Sequence, residues 1–260
     1  MGFDDDTALV ALGERRWQGE ISRRWFVARG PNGGLLAAQA VRAMQALAGA
    51  PERVPRSVTI HYLDAPAAGP IVISGNVERA GRSTTAVSLR FEQGGRTMAL
   101  ALGALAVWRQ EGLDHIATRP PEVPRPEELE PVDPASTGLP AFIANYDWRF
   151  AAGGDGARVG GWIRTAQPRP IDHIGIAAFS DAFFPAVFPL LGTYDAFAPT
   201  IDLTIHFRAP LDGLGEQWVL ADFRSRRAAG GFFEEDGELW SEGGVLLAQS
   251  RQLAMIRAPR

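Results

Sequence analysis

Cysteine is absent from the 260 residues, and so is lysine: all 26 basic side chains are arginine. The first absence excludes disulfides, thiolate nucleophiles and Cys-ligated zinc or iron-sulfur clusters. The second excludes a Lys Schiff base and the phosphate-gripping lysine of a P-loop. No apolar run approaches the roughly 20 residues that span a bilayer, so no membrane partner is expected. The chain opens MGFDDD, without the basic start and apolar stretch of a secretory signal, and the expected location is the cytoplasm. A formal charge of −4 argues against a nucleic-acid partner. His61, His115, His173 and His206 are too scattered for ligand spacing, so neither a metal nor another cofactor is expected.

What is present is a globular composition. At 46% hydrophobic and 22% charged residues the chain is too apolar for disorder and too mixed for a membrane protein. It also repeats itself. "TIHYLDAP" (Thr59 to Pro66) returns as "TIHFRAP" (Thr204 to Pro210), an offset of 145 from His61 to His206. "GRSTTAVSLRFEQGG" lies without a gap on "GGFFEEDGELWSEGG", at a constant offset of 149 from Gly81 to Gly230 and Gly95 to Gly244.

Before each "TIH" strand stands an apolar helical stretch. In "GGLLAAQAVRAMQALAG", Leu36, Val41, Met44 and Leu47 fall at helical spacing, and Gly49 with Pro51 supplies the stop. A helix so apolar around its circumference is wrapped by other structure. The matching "SDAFFPAVFPLLG" (Ser180 to Gly192) reads as a second helix, N-capped by Ser180 and shortened or kinked by Pro185 and Pro189. Alternating runs joined at Gly94-Gly95 and Gly243-Gly244 predict antiparallel hairpins. The fold class is therefore α+β: two tandem units, 1–117 and 141–260, each an antiparallel sheet around a central helix, expected to meet in one continuous sheet. The proline- and acid-rich 118–140 reads as an extended linker.

A Gly-Gly-headed apolar helix wrapped by a sheet, with the unit present twice, resembles the double hot-dog proteins, and specifically the bacterial type II acyl-CoA thioesterases (TesB-like). "PNGGLLAAQAVRAM", "FSDAFFPAVFPLLG", "PTIDLTIHFRAP" and "LLAQSRQLAMIR" carry the resemblance over nearly the whole chain. It implies hydrolysis of an acyl-CoA by a water held between an Asp, a Thr and a Gln, which fall here on Asp181, Thr200 and Gln252. It also implies a homodimer or larger assembly. Leu203 stands where a histidine is frequent in the family, which leaves the subfamily and substrate open.

The repeat tests the same residues independently, because a side chain kept for packing has a counterpart of like character in both copies. Gln252 lies opposite Gly103, Thr200 opposite Pro55, and Asp181 close to Gly34. All three polar groups occur once. Asp181 at a helix start would gain about 0.3–1 kcal/mol from the dipole, and free N–H groups there could polarise a thioester carbonyl. Each residue also has a plainer reading: a cap, a strand residue, a satisfied amide. Asp202, by alternation on the face of Thr200, is a reserve acid, and His61 and His206, present in both copies, read as packing or interface residues. Gly33 and Gly34 permit close approach of a ligand to the backbone. Phe183, Phe184 and Phe188 are candidates for an acyl tunnel, and Arg226, between Arg224 and Arg227, for the phosphates of coenzyme A. Two alternatives stay open: hydration of an enoyl thioester, which calls for a His beside the Asp, and a non-catalytic acyl-CoA or lipid-binding module.

Overall fold

The computed structural model describes residues 2–27, 29–109, 111–136, 138–152, 156–192 and 197–256. The first half runs α1 (Phe3–Thr7), β1 (Val10–Gly13), β2 (Arg16–Ile21), α2 (Gly33–Ala48), β3 (Arg53–Tyr62), β4 (Gly69–Ala80), β5 (Thr84–Gln93) and β6 (Arg96–Val107). The second runs β7 (Tyr146–Ala152), β8 (Arg158–Thr165), α3 (His173–Phe179), α4 (Phe188–Leu191), β9 (Thr200–Phe207), β10 (Val219–Arg224), β11 (Ala228–Ala229), β12 (Phe232–Ser241) and β13 (Leu246–Met255). Twelve strands form one antiparallel path, β1-β2-β4-β5-β6-β3-β9-β13-β12-β10-β8-β7, with β11 attached to β12.

Read outward from its middle, the path is the same on both sides. β3, β6, β5, β4, β2, β1 correspond in rank to β9, β13, β12, β10, β8, β7. The two halves meet where β3 pairs β9, and the pseudo-dyad passes through Thr59 and Thr204, which face each other in register with hydroxyl oxygens 2.9 Å apart. The Gly94-Gly95 turn has both residues at positive φ, as a two-residue hairpin requires.

α2 is the largely wrapped helix its composition predicts, buried around its circumference from Gly34 to Val41, with Ala46 exposed in its last turn. Asn32 caps it by accepting the Gly34 N–H at 3.0 Å, and Gly49 ends it in the left-handed region. Its counterpart differs from the expectation. Ser180 is the C-cap of α3, not an N-cap, and no helix runs from Ser180 to Gly192 apart from the single turn of α4. Pro185 and Pro189 lack the N–H groups a continuous helix needs. Asp181 therefore follows a helix rather than leading one.

Structural register also corrects the gapless repeat. Val87 pairs Gly103 in the first half, and Glu235 pairs Gln252 in the second. With Gly103 equivalent to Gln252, the counterpart of Glu235 is Val87, one residue away from the Ala86 that the constant offset selects. The register shifts at Phe91/Glu92 and Leu239/Trp240 fall at equivalent places in the two halves, and the extra residue lies in the turn: two residues separate the paired Gln93 and Arg96, whereas three separate Ser241 from Val245, whose carbonyl accepts the Ser241 N–H.

One hydrophobic core runs through both halves. A second cluster, Trp162, Trp218, Leu220 and Trp240, lies on the other face of the second half and is covered by Val123 and Leu129. The Trp162 indole donates to the Pro124 carbonyl at 2.9 Å, so part of the 118–140 segment is a packed strap. Among the described residues no helix is long and apolar enough to cross a membrane.

Candidate active site

Asp181 sits where the two central helical segments meet. Its carboxyl faces the backbone N–H groups of Gly34 and Gly33, at the N-terminus of α2 in the other half of the molecule. The helix terminus that the sequence analysis assigned to Asp181 is thus present, but it belongs to the first half, and its donors are directed at the carboxylate rather than left for a substrate carbonyl. Asn32 completes the cradle, donating from Nδ2 to the Asp181 carbonyl oxygen at 2.6 Å and to Oδ2 at 3.2 Å. Two glycines make this approach possible. A Cβ on Gly33 would lie 2.8 Å from Asp181 Oδ2, and one on Gly34 would lie 2.5 Å from the Ala178 carbonyl oxygen. Burial nevertheless dominates and pushes the Asp181 carboxyl up to about 7, against the pull of the Gly34 and Gly33 N–H groups. The buried Tyr62 hydroxyl, raised well above its usual range by burial and then by Asp181, donates to the Gly33 carbonyl at 3.0 Å.

Thr200 and Gln252 are in direct contact. The Thr200 hydroxyl donates to Gln252 Oε1 at 2.8 Å, and Gln252 Nε2 donates to Glu235 Oε1 at 2.6 Å. A bulge makes the first bond possible. Thr200 pairs Ala254 while Asp202 pairs Leu253, so the register slips between them and Thr200 turns inward. Asp202, opposite the exposed Leu253, points to the outer face; it does not share the face of Thr200 as simple alternation predicted. Glu235 is buried and titrates at about 7 because burial outweighs the donors from Ala186 and Gln252, with Asp181 and Asp236 adding in the same direction.

Asp181, Thr200 and Gln252 line one cavity of about 1590 Å³, larger than the usual 300–1,000 Å³ of a small-ligand site. Asn32, Gly33, Leu36 and Tyr62 line it from the first half, and Phe183, Phe184 and Phe188 from the second. Phe183 is held edge-on to Trp148 with centroids 4.9 Å apart. Gly34 lies behind Gly33, packed against Ala178 and outside the lining. Arg226 is not at the cavity either: it is exposed and paired with Asp236, while Arg224 pairs with Asp222. Arg29 and Arg158 line the cavity instead. His61 and His206 are exposed on the outer face of the central strands and pack into neither core nor cavity. No cluster of metal-ligating side chains occurs among the described residues.

The mirror position in the first half is closed. Pro55, Gly103 and Val87 replace Thr200, Gln252 and Glu235, and a Cβ on Gly103 would lie 2.4 Å from Met44 Sδ. The buried Met44 of unbroken α2 fills the place that the interrupted helix leaves open in the second half. Sequence reasoning missed Asn32 and Glu235. The signal for Glu235 was its parity: among Glu234, Glu235 and Asp236, only the middle residue shares a face with the buried Phe233 and Leu239.

Residues 21–108 match the acyl-CoA thioesterase N-terminal domain, and 121–256 match the acyl-CoA thioesterase C-terminal domain. An uncharacterised protein of Mycobacterium tuberculosis is 26% identical over 94% of this chain and 92% of its own length. A hot-dog protein of unknown function from Alicyclobacillus acidocaldarius superposes with a TM-score of 0.90 at 29% identity, covering 99% of this chain and 98% of that one. An acyl-CoA thioesterase II, TesB2, from Mycobacterium marinum gives 0.80 at 20% identity over 100% and 98%, a likeness of fold alone.

Proposed function

This chain belongs to the acyl-CoA thioesterase family, and we propose on that footing that it hydrolyses an acyl-CoA to the free acid and coenzyme A with an oriented water and no covalent intermediate. The observation that carries this reading is the meeting, in one cavity, of a carboxyl titrating near neutrality with the bonded Thr200 and Gln252 pair. A base with a pKa near working pH is matched to accepting the proton of an attacking water. The Thr200 proton is spent on Gln252, so its oxygen faces the water as an acceptor. A water donating one proton to Asp181 and the other to Thr200 presents its lone pairs to the thioester carbon. Water oxygen bonds to carbon, Asp181 takes the proton, and collapse breaks the C–S bond as the proton passes to the departing sulfur.

The acyl chain is assigned to the Phe183, Phe184 and Phe188 wall. The phosphates are assigned to Arg29 and Arg158, which line the cavity, in place of Arg226.

The test is thiol release from acyl-CoAs graded from acetyl to palmitoyl. With no cysteine in the chain, a thiol reagent reads only coenzyme A. Wild type is expected to cleave at least one member of the series, and Asp181→Asn to lose on the order of 10²-fold or more in kcat. Undiminished cleavage by that variant overturns the assignment. With an enoyl-CoA offered in parallel, loss of enoyl absorbance without free thiol would establish hydration instead.

A further inference from the structure

Glu235 has no part in the Asp, Thr and Gln trio, yet it lies directly behind it. It is 3% exposed, and both of its oxygens are engaged. Oε2 accepts the backbone N–H of Ala186, and Oε1 accepts from Gln252 Nε2. The Ala186 N–H is available because the chain is not helical between Ser180 and Phe188. In the first half the same position is the apolar Val87. Packing alone needs no charge there, and burying a carboxylate is costly unless its bonds are made.

A row of hydrogen bonds has a direction. The Ala186 N–H is a fixed donor, and Glu235 in its ionised form, the form favoured above about pH 7, can only accept. Gln252 must then turn its amide NH2 to Glu235 and its carbonyl to Thr200, and Thr200 must spend its single proton on that carbonyl. What reaches the cavity is a hydroxyl oxygen offering lone pairs alone. We propose that Glu235 is a positioning residue that sets this polarity, so that a water between Asp181 and Thr200 donates both protons and turns its lone pairs to the substrate. The inference rests on the hydrolytic reading above. With a donor at position 235 the amide turns round, Thr200 points its proton into the cavity, and that proton competes for the lone pair that should attack.

Two substitutions separate polarity from shape. In Glu235→Gln the new carbonyl must meet the Ala186 N–H, so its NH2 faces Gln252 and the row reverses with every bond kept. Glu235→Asp keeps an acceptor-only group but is one methylene short. On an acyl-CoA that wild type cleaves, E235Q is expected to fold, to keep its KM, and to lose on the order of 10²-fold in kcat. E235D is expected to lose less. Thr200→Val should cost a similar factor in wild type but less than about threefold more in E235Q, because both changes remove the same acceptor. Kinetic losses that multiply, an E235Q kcat within about twofold of wild type, or an E235D less active than E235Q overturns the proposal. If E235Q does not fold, the comparison moves to Glu235→Asp against Glu235→Asn, of equal length, with Asp expected the more active and equal rates overturning it. A wild type that releases no thiol, or an unimpaired Asp181→Asn, instead defeats the hydrolytic reading and takes this proposal with it, and neither observation involves Glu235.

Discussion

A carboxyl held near pKa 7 by burial stores a proton as well as accepting one. Asp181 titrates at about 7 in the folded chain and at about 3.9 when unfolded. The folded state therefore binds the proton more tightly, and the stability this gives is complete below the unfolded value and lost as pH rises through about 7. Asp181→Asn is neutral at every pH. Its melting temperature relative to wild type should accordingly climb between pH 5 and pH 8, while wild-type kcat/KM rises with pH through the same range. A gap that is the same at both pH values would show that the acid is not raised. At this scale the trio was legible, since Thr200 and Gln252 have no polar counterpart in Pro55 and Gly103. Glu235 was not, because it is flanked by two more acids and the gapless offset set it against Ala86, on the wrong face of its strand. Asn32 was hidden by its local role: a cap before Gly33 accounts for it fully until the distant Asp181 is placed beside it.

The site is open because one helix is broken and its partner is not. α2 continues for 16 residues and carries Met44 into the mirror position. The second-half segment stops at Phe179 and resumes only for the single turn of α4. Where α2 starts, its first turn presses on the end of α3, and Gly34 is the residue that allows the contact. Gly34→Ala would put a methyl 2.5 Å from the Ala178 carbonyl oxygen, backbone that cannot rotate aside. We expect a loss of about 1–3 kcal/mol in urea unfolding, as for other overpacked sites, with reduced turnover because the shift moves the donors of Asp181. An unchanged urea midpoint would mean that the two helices tolerate separation. The hairpins were legible from alternation and their Gly-Gly turns. The apolar run of Ser180 to Gly192 was not, since hydrophobicity without period reads as a helix until its prolines are given their full weight.

The halves share a seam rather than a linker. Ser57–His61 pair with His206–Asp202 in the middle of the sheet, and Thr59 bonds Thr204 across the pseudo-dyad. Behind the seam α2 packs on α3, and the buried core passes from one half to the other without a break. Parting the halves would leave β3 and β9 as long unpaired edges, which a sheet protein avoids exposing. It would also strip Asp181 of the Gly33 and Gly34 donors and of the first-half residues that bury it, so its raised pKa exists only in the joined molecule. Neither half is thus provided with a stable surface of its own, although the repeat makes each look self-sufficient in sequence. The expectation is one cooperative unfolding step for the whole chain. Far-UV circular dichroism and tryptophan fluorescence should give coincident urea midpoints, because Trp25 in the first half and Trp148 in the second belong to the same core. Two separated transitions, or a stable species retaining the signal of one half, would show that the seam joins two independent bodies and that the site forms only when they dock.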